Sequence, residues 1–420
     1  MVTIKKKLEI VTDTPKVSVS EILELIPESF INKLATDLLV DKWAKKLQAS
    51  AIFKLIIYST LSSERLSLRV MEEKSSDPVF KSIVPALAED KATWGGIRDR
   101  LKNVDVRFFE GLYEYVYKMA SDKYGSESLS KLHIKRYDST MIATYAHLLS
   151  GMKVGNTSKN KTQVKFTTEL KDDFLIKMTF HQDQPHLSEE RALKEAVEKD
   201  SSKDTDQVAV FDKGLKSRKT FAEFDDAQIQ FVGRLNEDAR YEFIRTHSID
   251  DLKLAPHELE NVSHQKDDLL EFVQDSIVYL YESSHKTHPK EFRMIQYQLK
   301  KTGKAIFFVT NVLDINAATI AEIYRKRWDV EVLFRFMKQE MNLTHFVCND
   351  PNAIAIMMYC NMIAAMLVLI YKQQNNIRSY KIAKIRFFKE LECLILMDII
   401  DDPTATKHLK QLLVKYILRR

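Results

Sequence analysis

The pattern of hydrophobic and polar residues changes near residue 131. Before that point, apolar residues recur at helical spacing, as in EILELIPESFINKLATDLLVDKW and VDVRFFEGLYEYVYKMA, with polar or glycine-containing breaks at Ser75–Pro78 and Trp94–Gly96. After it, short runs of β-forming residues follow one another. The pattern predicts an all-helical region over residues 1–130, followed by a domain that contains strands.

The runs after residue 131 alternate in a way that is typical of an α/β core. Strands are predicted at His133–Ser139, Gln163–Leu170, Leu175–His181, Gln207–Asp212, Ile229–Leu235 and Ala305–Thr310, with a helix at Ser188–Lys199. Three strands, a crossover helix and a fourth strand form one compact layered unit. We therefore predict an α/β core over residues 131–235 and 305–349.

Two further regions complete the predicted organisation. Residues 236–304 contain strand-like runs, DSIVYLYES and EFRMIQYQLK, and we expect a β-rich insertion domain there. Residues 350–420 are predicted to be helical. The apolar run Ile354–Tyr371 is long enough to span a bilayer, but Asn361 at its centre favours a buried helix.

Two aspartates follow strand-like runs. Asp138 comes after Ile134–Tyr137, and Asp212 comes after Val208–Phe211. We expect both at the carboxyl ends of their strands. Either residue alone is more typical of a turn or a helix cap, so neither signal identifies a site by itself.

The segment Ile323–Gln339, IYRKRWDVEVLFRFMKQ, is predicted to be a single helix. At about 100° per residue, its four polar positions Tyr324, Arg327, Glu331 and Lys338 fall on one face. Its apolar residues, Trp328 among them, are expected to anchor it to a core. An exposed i,i+4 ion pair between Arg327 and Glu331 is the alternative explanation.

Three carboxylates, Asp138, Asp212 and Glu331, would meet if the strand ends and the helix converge. Such a set can hold two Mg²⁺ ions, for which Mn²⁺ can substitute, and still leave positions for phosphate oxygens. Two metal ions suit in-line displacement at phosphorus, in which one activates the attacking group and the other stabilises the leaving oxygen. The residues thus indicate phosphodiester chemistry.

The spacing Tyr324, Arg327, Glu331, Lys338 resembles the signature of the IS4 group of bacterial insertion-sequence DDE transposases. The resemblance extends to YDST around Asp138, VFDKGLKSRKTF around Asp212, FVGRL and FFVTN. It implies a ribonuclease-H-like core with a mostly β insertion domain, and a metal triad of the three carboxylates. It also implies contacts from the other three signature residues to DNA phosphates at the element ends.

The same resemblance implies a cut-and-paste reaction. The protein would bind the inverted-repeat ends of its element as double-stranded DNA, cleave them, in some members through a hairpin, and join them to target DNA. Two ends must be held together, so a homodimer is expected, with the C-terminal helices as its interface. A ribonuclease-H-fold nuclease without strand transfer, and a catalytically silent DNA-binding relative, remain alternatives.

Other basic residues are candidates for DNA contact. Arg335 lies near the face of the signature residues, and Lys159 and Lys161 belong to GMKVGNTSKNKTQVKF, which has four lysines and no acidic residue. Arg98, Arg100 and Lys102 would be presented by a helix in KATWGGIRDRLKNV, a candidate DNA-reading element. For each, a solvated charge is the simpler interpretation. Such contacts would neutralise phosphate charge and make binding salt-dependent.

Charge, cysteine content and the N-terminal sequence limit the class of protein but do not identify its function. A formal net charge of +5 and a pI near 8.7 are mildly basic. The three cysteines, Cys348, Cys360 and Cys393, have neither paired spacing nor the histidine set of a zinc site. The basic N-terminus is not followed by the apolar run of a signal peptide. We therefore expect a cytoplasmic protein.

Overall fold

A computed structural model of the 420-residue chain describes residues 15–87, 90–125, 133–143, 152–153, 162–171, 174–181, 183–201, 207–247, 270–281, 289–343 and 346–401. The chain divides into two compact units. One comprises Met1–Gly125 and Phe334–Arg420, and the other comprises Ser126–Leu333.

Thirteen α-helices lie in the described residues. In chain order they are α1 Val19–Leu23, α2 Glu28–Asp37, α3 Ala49–Ser62, α4 Leu68–Lys74, α5 Pro78–Ile83, α6 Trp94–Asn103, α7 Val106–Tyr124, α8 Glu189–Ser201, α9 Arg218–Asp226, α10 Ala317–Lys326, α11 Trp328–Glu340, α12 Pro351–Gln374 and α13 Tyr380–Asp401. The predicted helical N-terminal pattern agrees with α1–α7.

Ten strands in the described part of the chain form a single sheet. They are β1 His133–Ala143, β2 Met152–Lys153, β3 Thr162–Lys171, β4 Phe174–His181, β5 Gln207–Phe211, β6 Gln230–Leu235, β7 Glu242–Thr246, β8 Leu270–Tyr281, β9 Pro289–Leu299 and β10 Ala305–Thr310. All six strands predicted for the α/β core are present, and so is the crossover helix α8 between β4 and β5.

The helical unit contains both ends of the described chain, because α12 packs against α3, α6, α7 and α13. Its helix starts have clear local causes. Asp77, Thr93 and Asp105 each accept a hydrogen bond from a first-turn backbone N–H, at α5, α6 and α7. The N-terminal and C-terminal helical segments, which the sequence separates by 200 residues, therefore form one unit.

Among the described residues, α12 is the one helix that is long and apolar enough to cross a membrane. In the structure, 89% of its most apolar stretch is buried within the protein. Polar contacts fix its start: Asp350 caps the helix, and the Asn352 side chain donates hydrogen bonds to the carbonyl oxygens of Leu101 and Val104. It is a buried helix, as predicted.

The sheet of the other unit combines a parallel centre with antiparallel flanks. β1, β5 and β6 are parallel, β3 pairs antiparallel with β1, and β4 pairs antiparallel with β3. On the other side, β10 pairs antiparallel with β6, followed by β9, β8 and β7. The predicted α/β class is confirmed. The described strands of residues 236–304 extend this same sheet through β10.

Alternating residues of the central strands face two separate cores. Ala209 and Phe211 of β5 pack with α8 and α9, whereas Val208 and Val210 pack with α10. All four side chains are at most 1% exposed. Because helices cover both faces, the strand reads in sequence as a continuous apolar run.

Candidate active site

Strand register brings Asp138 and Asp212 together. β1 and β5 are parallel, and the last residues in their register are Tyr137 and Phe211. The aspartates come next, Asp138 within β1 and Asp212 just after the end of β5, so the two occupy neighbouring positions. Adjacent strands lie about 4.8 Å apart, and side chains at equivalent parallel positions point to the same face of the sheet.

Asp138 is not at the end of its strand, which corrects the prediction. β1 continues to Ala143, because β3 pairs with it beyond the point where β5 ends, as far as Ala143 opposite Gln163. What ends at Tyr137 is only the parallel pairing with β5. Ser139 and Thr140, the two residues after Asp138, belong to the strand as well.

Asp138 lies on the face of the sheet that α10 covers. Ile134 of β1 packs on that face with Val208 and Val210, and alternation along β1 carries Asp138 to the same face. Asp212 follows the end of β5 beside it. Helix α10 and its continuation α11 carry the signature residues Tyr324, Arg327 and Glu331. The described residues of this unit therefore bring all three predicted carboxylates to one region.

The predicted single helix is interrupted at Arg327. α10 ends at Lys326 and α11 begins at Trp328, and the backbone N–H groups of Arg327 and Val330 donate to carbonyl oxygens three residues earlier. Trp328 is 53% exposed, so its predicted place in the core is wrong.

Arg136, which the sequence analysis missed, holds this junction. Its guanidinium is 3% exposed, and Nη1 donates to the backbone carbonyl of Lys326 at 3.0 Å and to the carboxylate of Asp329 at 3.1 Å. A carbonyl freed by the interruption is thereby satisfied. Arg136 lies two residues before Asp138 on the same face of β1, and it fixes the helix junction over the aspartates.

Arg327 is the buried cation of the site. It is 8% exposed, and its Nη2 donates to Glu331 Oε1 at 2.5 Å. Its guanidinium carbon lies 5.7 Å from the centre of the Tyr324 ring. The Nε and Nη1 atoms are buried and have no hydrogen-bond partner among the described residues. Two buried donors without acceptors form a position suited to an anion.

Burial and crowding change the acidity of Asp138. Burial raises the pKa of its carboxyl to about 7, against the opposing effect of Arg327, and the carboxylates of Asp212 and Glu331 raise it further. Ser139 N donates to Asp138 Oδ1 at 2.8 Å, which favours the charged form. Without a cation between them, these carboxylates repel one another.

A fourth carboxylate, Glu189, also lies here, and the sequence analysis missed it. It is the first residue of α8, and its Oε1 accepts a hydrogen bond from Ser139 Oγ at 3.0 Å. Burial, followed by the charge of Asp212, raises its pKa. In the sequence, Ser188-Glu189-Glu190 is typical of an ordinary helix start, where acidic residues favour the positive end of the dipole. No local signal distinguished it.

Gly214 makes room for two of these carboxylates. A Cβ built on it would lie 2.7 Å from Asp212 Oδ1 and 2.7 Å from Glu189 Oε2. Real Cβ atoms do not come so close, so any larger residue would displace both groups. The Gly214 N–H also donates to Asp212 Oδ1 at 2.7 Å. The absence of a side chain at Gly214 therefore lets both carboxylates occupy their positions in the site.

The donor set fits divalent cations. Asp138, Asp212 and Glu331 offer carboxylate oxygens, which Mg²⁺ and Mn²⁺ prefer. Mg²⁺ needs only one or two carboxylates and takes its other ligands from water and phosphate oxygens, so three such groups can serve one ion or two.

Among the described residues, the group whose donor atoms all lie within 4.8 Å is His181, Asp183 and His186. Its contacts explain it without a metal ion. One ring nitrogen of His186 lies 2.6 Å from Asp183 and the other lies 2.6 Å from Glu195. Burial lowers the pKa of His181 to about 4, so that ring is neutral at physiological pH. We interpret the cluster as an ion network.

Two of the other predicted DNA contacts belong to the helical unit, and two fall outside the described residues. Arg335 and Lys338 belong to the helical unit; Arg335 is exposed, and the Lys338 ammonium lies 6.0 Å from the centre of the Phe334 ring. Lys159 and Lys161 fall outside the residues that the structure describes.

The predicted helix that would present Arg98 and Arg100 is α6. Arg98 pairs with Asp99 and lies 5.3 Å from the centre of the Trp94 ring. Arg100 is not presented to solvent, because its Nη2 donates to Asp41 at 2.6 Å and its side chain is 15% exposed. The expectation for Arg100 is therefore wrong.

A comparison of the sequence with protein families shows to which family the chain belongs. The family profile described as Transposase DDE domain matches residues 137–367, more than half of the chain. The chain belongs to the DDE transposase family. The matched segment of the transposase starts one residue before Asp138 and includes Asp212 and Glu331.

Curated relatives are named as putative or probable transposases. The transposase is 27% identical over 168 residues to "Putative transposase y4zB" of Sinorhizobium fredii, which covers 40% of this chain and 43% of that protein. It is 36% identical over 90 residues to "Probable transposase for insertion sequence element IS5377" of Geobacillus stearothermophilus, covering 20% and 24%. The aligned segments thus span less than half of these relatives.

A solved structure shares the fold of the transposase. It is piggyBac transposase, determined by cryo-EM as a synaptic complex with hairpin DNA. The TM-score is 0.51 with 11% sequence identity, and the alignment covers 94% of this chain and 84% of that chain. At this identity the comparison establishes the fold alone.

Replacing Asp138 with Asn should stabilise the metal-free transposase at pH 8. The raised pKa means that the unfolded chain ionises above about pH 4 while the folded chain holds its proton up to about pH 7. Asp138 therefore destabilises the fold progressively across that range, and fully above it. We expect the melting temperature in EDTA to rise by roughly 2–8 °C at pH 8 and by less at pH 5. An unchanged or lower value at pH 8 would contradict this account of the carboxylate.

Proposed function

We propose that this transposase cuts phosphodiester bonds at the inverted-repeat ends of its own element and joins those ends to target DNA. Asp138, Asp212 and Glu331 act as the metal-binding triad. One observation carries the proposal. Asp138 and Asp212 each follow the last paired residue of the parallel strands β1 and β5, and the charges of Asp212, Arg327 and Glu331 all act on the Asp138 carboxyl.

Mg²⁺, or Mn²⁺ in its place, would supply activation of the attacking hydroxyl group and stabilisation of the leaving oxygen. The protein's part is to hold its carboxylates in place before the DNA arrives. Ser139 N and Gly214 N donate to Asp138 and Asp212, and Arg327 Nη2 donates to Glu331. All three triad carboxylates are thus held by a hydrogen bond, which limits the reorganisation needed at the reaction step.

Arg327 is proposed to bind a phosphate of the element end. Its Nε and Nη1 donors are buried and unpaired among the described residues, and a phosphate oxygen would satisfy them. Tyr324, whose ring lies beside the guanidinium, would add a hydroxyl donor. Neither contact reads a base, so both would position the DNA rather than select its sequence.

The remaining basic candidates are proposed to act on the same DNA. Lys338, Arg335 and Arg98, with Lys159 and Lys161, are proposed to contact backbone phosphates. The IS4 group is the proposed subfamily; the Tyr324, Arg327, Glu331 and Lys338 spacing supports it, and one relative is named for the element IS4SA. The proposed core is ribonuclease-H-like, with a mostly β insertion at residues 236–304.

A homodimer and a hairpin intermediate belong to the same proposal. The fold neighbour piggyBac transposase was solved as a synaptic complex with hairpin DNA, which supports both by analogy. Synapsis holds two element ends at once, and the C-terminal helices are the proposed interface.

The proposal is tested by a strand-transfer assay. Purified protein, Mg²⁺, a labelled double-stranded fragment that ends at the element boundary, and a supercoiled target plasmid are incubated together. We expect label to become covalently joined to the plasmid. Cleavage of the fragment without joining would identify a nuclease instead, and binding without cleavage in both Mg²⁺ and Mn²⁺ would identify a silent DNA-binding relative.

Lys338→Ala should weaken binding to the element end by roughly 3–10-fold and lower the slope of log affinity against log salt by about one, because one phosphate contact is lost. Lys301→Ala, an exposed lysine in the turn between β9 and β10, is the control. The measurement is a fluorescence-anisotropy titration at several salt concentrations. Equal affinities and slopes for both variants would assign Lys338 to the solvated surface.

A further inference from the structure

Glu189 approaches the triad from the face of the sheet opposite to Glu331. Ser139 follows Asp138 on β1, and its side chain points to the face on which Tyr137 packs against α8. On that face Ser139 Oγ donates to Glu189 Oε1 at 3.0 Å. Asp138 and Glu189 are therefore linked through one serine, whose N–H holds the first carboxylate and whose hydroxyl holds the second.

Glu189 also lies close to the other aspartate. Its Oε2 and Asp212 Oδ1 are each 2.7 Å from the position that a Cβ of Gly214 would occupy, so the two oxygens are separated by at most twice that distance. Donors of one ion, or of two neighbouring ions, are found at such separations.

No partner within the described residues neutralises Glu189. No lysine or arginine there has a nitrogen within 4.0 Å of its carboxylate. The nearby charges that matter most are the like charge of Asp212 and, more weakly, the cations Lys165 and Arg327. A partly buried carboxylate beside another carboxylate is costly unless a cation joins them.

A second observation indicates that the region is built for a ligand. Arg327 is buried, yet two of its donors have no acceptor among the described residues. The paired carboxylates of Asp212 and Glu189 lack a cation between them, and the guanidinium donors of Arg327 lack an anionic acceptor. A phosphodiester bound to a divalent metal ion would provide both.

We propose that Glu189 is a fourth carboxylate of the metal site, one that binds the divalent cation directly beside Asp212. This inference rests on the proposed function, because it assumes that the triad binds metal. The site would then be enclosed from both faces of the sheet, with Glu331 above the aspartates and Glu189 below. Gly214 is glycine because a side chain there would displace both carboxylates.

The test is a Mn²⁺ titration of the full-length protein without DNA, followed by the electron paramagnetic resonance of free Mn²⁺. Glu189→Gln keeps the size of the side chain and an oxygen that can accept from Ser139, but it loses the charge. We expect its affinity for Mn²⁺ to fall about tenfold or more. Glu190→Gln, the neighbouring residue, whose carboxylate faces Thr220 instead, is the matched control and should bind as the unchanged chain does.

Two further variants distinguish direct metal binding by Glu189 from a structural role of its side chain. Ser139→Ala removes the hydrogen bond to Glu189 but leaves every carboxylate in place, and it should change the affinity by no more than about threefold. Glu189→Asp keeps the charge on a shorter side chain and should bind between the unchanged chain and Glu189→Gln. Melting curves in EDTA confirm that each variant is folded before its metal affinity is compared.

The outcomes distinguish this inference from the proposed function. If Glu189→Gln binds Mn²⁺ like the unchanged chain while Asp212→Asn does not, Glu189 is no ligand and the triad remains. If neither variant loses affinity, the metal site itself is wrong and the proposed function fails with it. If Ser139→Ala lowers affinity about tenfold and Glu189→Gln does not, the serine rather than Glu189 supports the metal site, and the inference is overturned.

Discussion

Asp212→Asn should lower the rate of DNA cleavage at the element end by roughly 10³-fold or more and leave end binding within about threefold of the unchanged protein. An amide has the shape of the carboxylate but not its charge. The metal ion that the carboxylate holds stabilises the transition state by several kcal/mol, and this stabilisation is lost in the variant. Binding survives because phosphate contacts, not the triad, supply most of the affinity. The measurement is a single-turnover cleavage time course beside an anisotropy titration.

Asp226→Asn is the matched control for this substitution. Asp226 lies at the end of α9, its side chain is 69% exposed, and it pairs with Lys290 on the surface. The same chemical change there should leave cleavage unaltered. If Asp212→Asn cleaves at more than about a tenth of the normal rate, Asp212 is not a metal ligand.

Arg327→Lys should lower cleavage by roughly 10²-fold, even though the charge is kept. Lysine cannot present the planar fork that holds Glu331 on one side and leaves Nε and Nη1 available on the other. Removing one preorganised donor from a catalytic site typically costs 10²–10³-fold, and here an orienting bond to a triad carboxylate is disturbed as well. End binding should weaken by roughly tenfold. Cleavage and binding are measured in the same two assays.

Arg325→Lys is the control, because Arg325 pairs with Glu322 at 2.5 Å on the exposed side of the same helix. It should behave as the unchanged protein does. Equal losses in Arg327→Lys and Arg325→Lys would show that this helix is sensitive to any arginine change, and the assigned role of Arg327 would fall.

Much of the α/β core could be predicted because local pattern and tertiary environment agree there. The run Val208–Phe211 is apolar on both faces, and the structure buries it on both faces. The order of strands and the crossover helix followed from such runs. The packing of the N-terminal and C-terminal helices into one unit did not follow from such runs. It depends on contacts of α12 with helices more than 200 residues earlier in the chain.

The features of the site that sequence reasoning missed are tertiary. β1 continues past Asp138 because β3 pairs with it, and no local signal in YDST shows that pairing. The interruption at Arg327 is held by Arg136, a residue 190 positions away from the carbonyl that it binds. Helical periodicity assumes an unbroken helix, and so it misplaced Trp328.

Glu189 is a different kind of omission. Acidic residues are common in the first turn of helices, and Ser188-Glu189-Glu190 matches that ordinary pattern. Only the fold shows that this helix start lies beside Ser139 and Gly214. A sequence signature identifies residues that members of a family have in common. Strand register and packing identify residues that lie close together in the fold.

The most direct test of the central claim is cleavage of the DNA that flanks the coding sequence of this protein, by purified protein in Mg²⁺, beside Glu331→Gln. We predict nicks at the element boundary that depend on the metal ion and disappear in the variant, while both proteins bind the same fragment. Boundary nicks of equal intensity in both proteins would contradict the assignment of the triad, and with it the account of how this transposase acts.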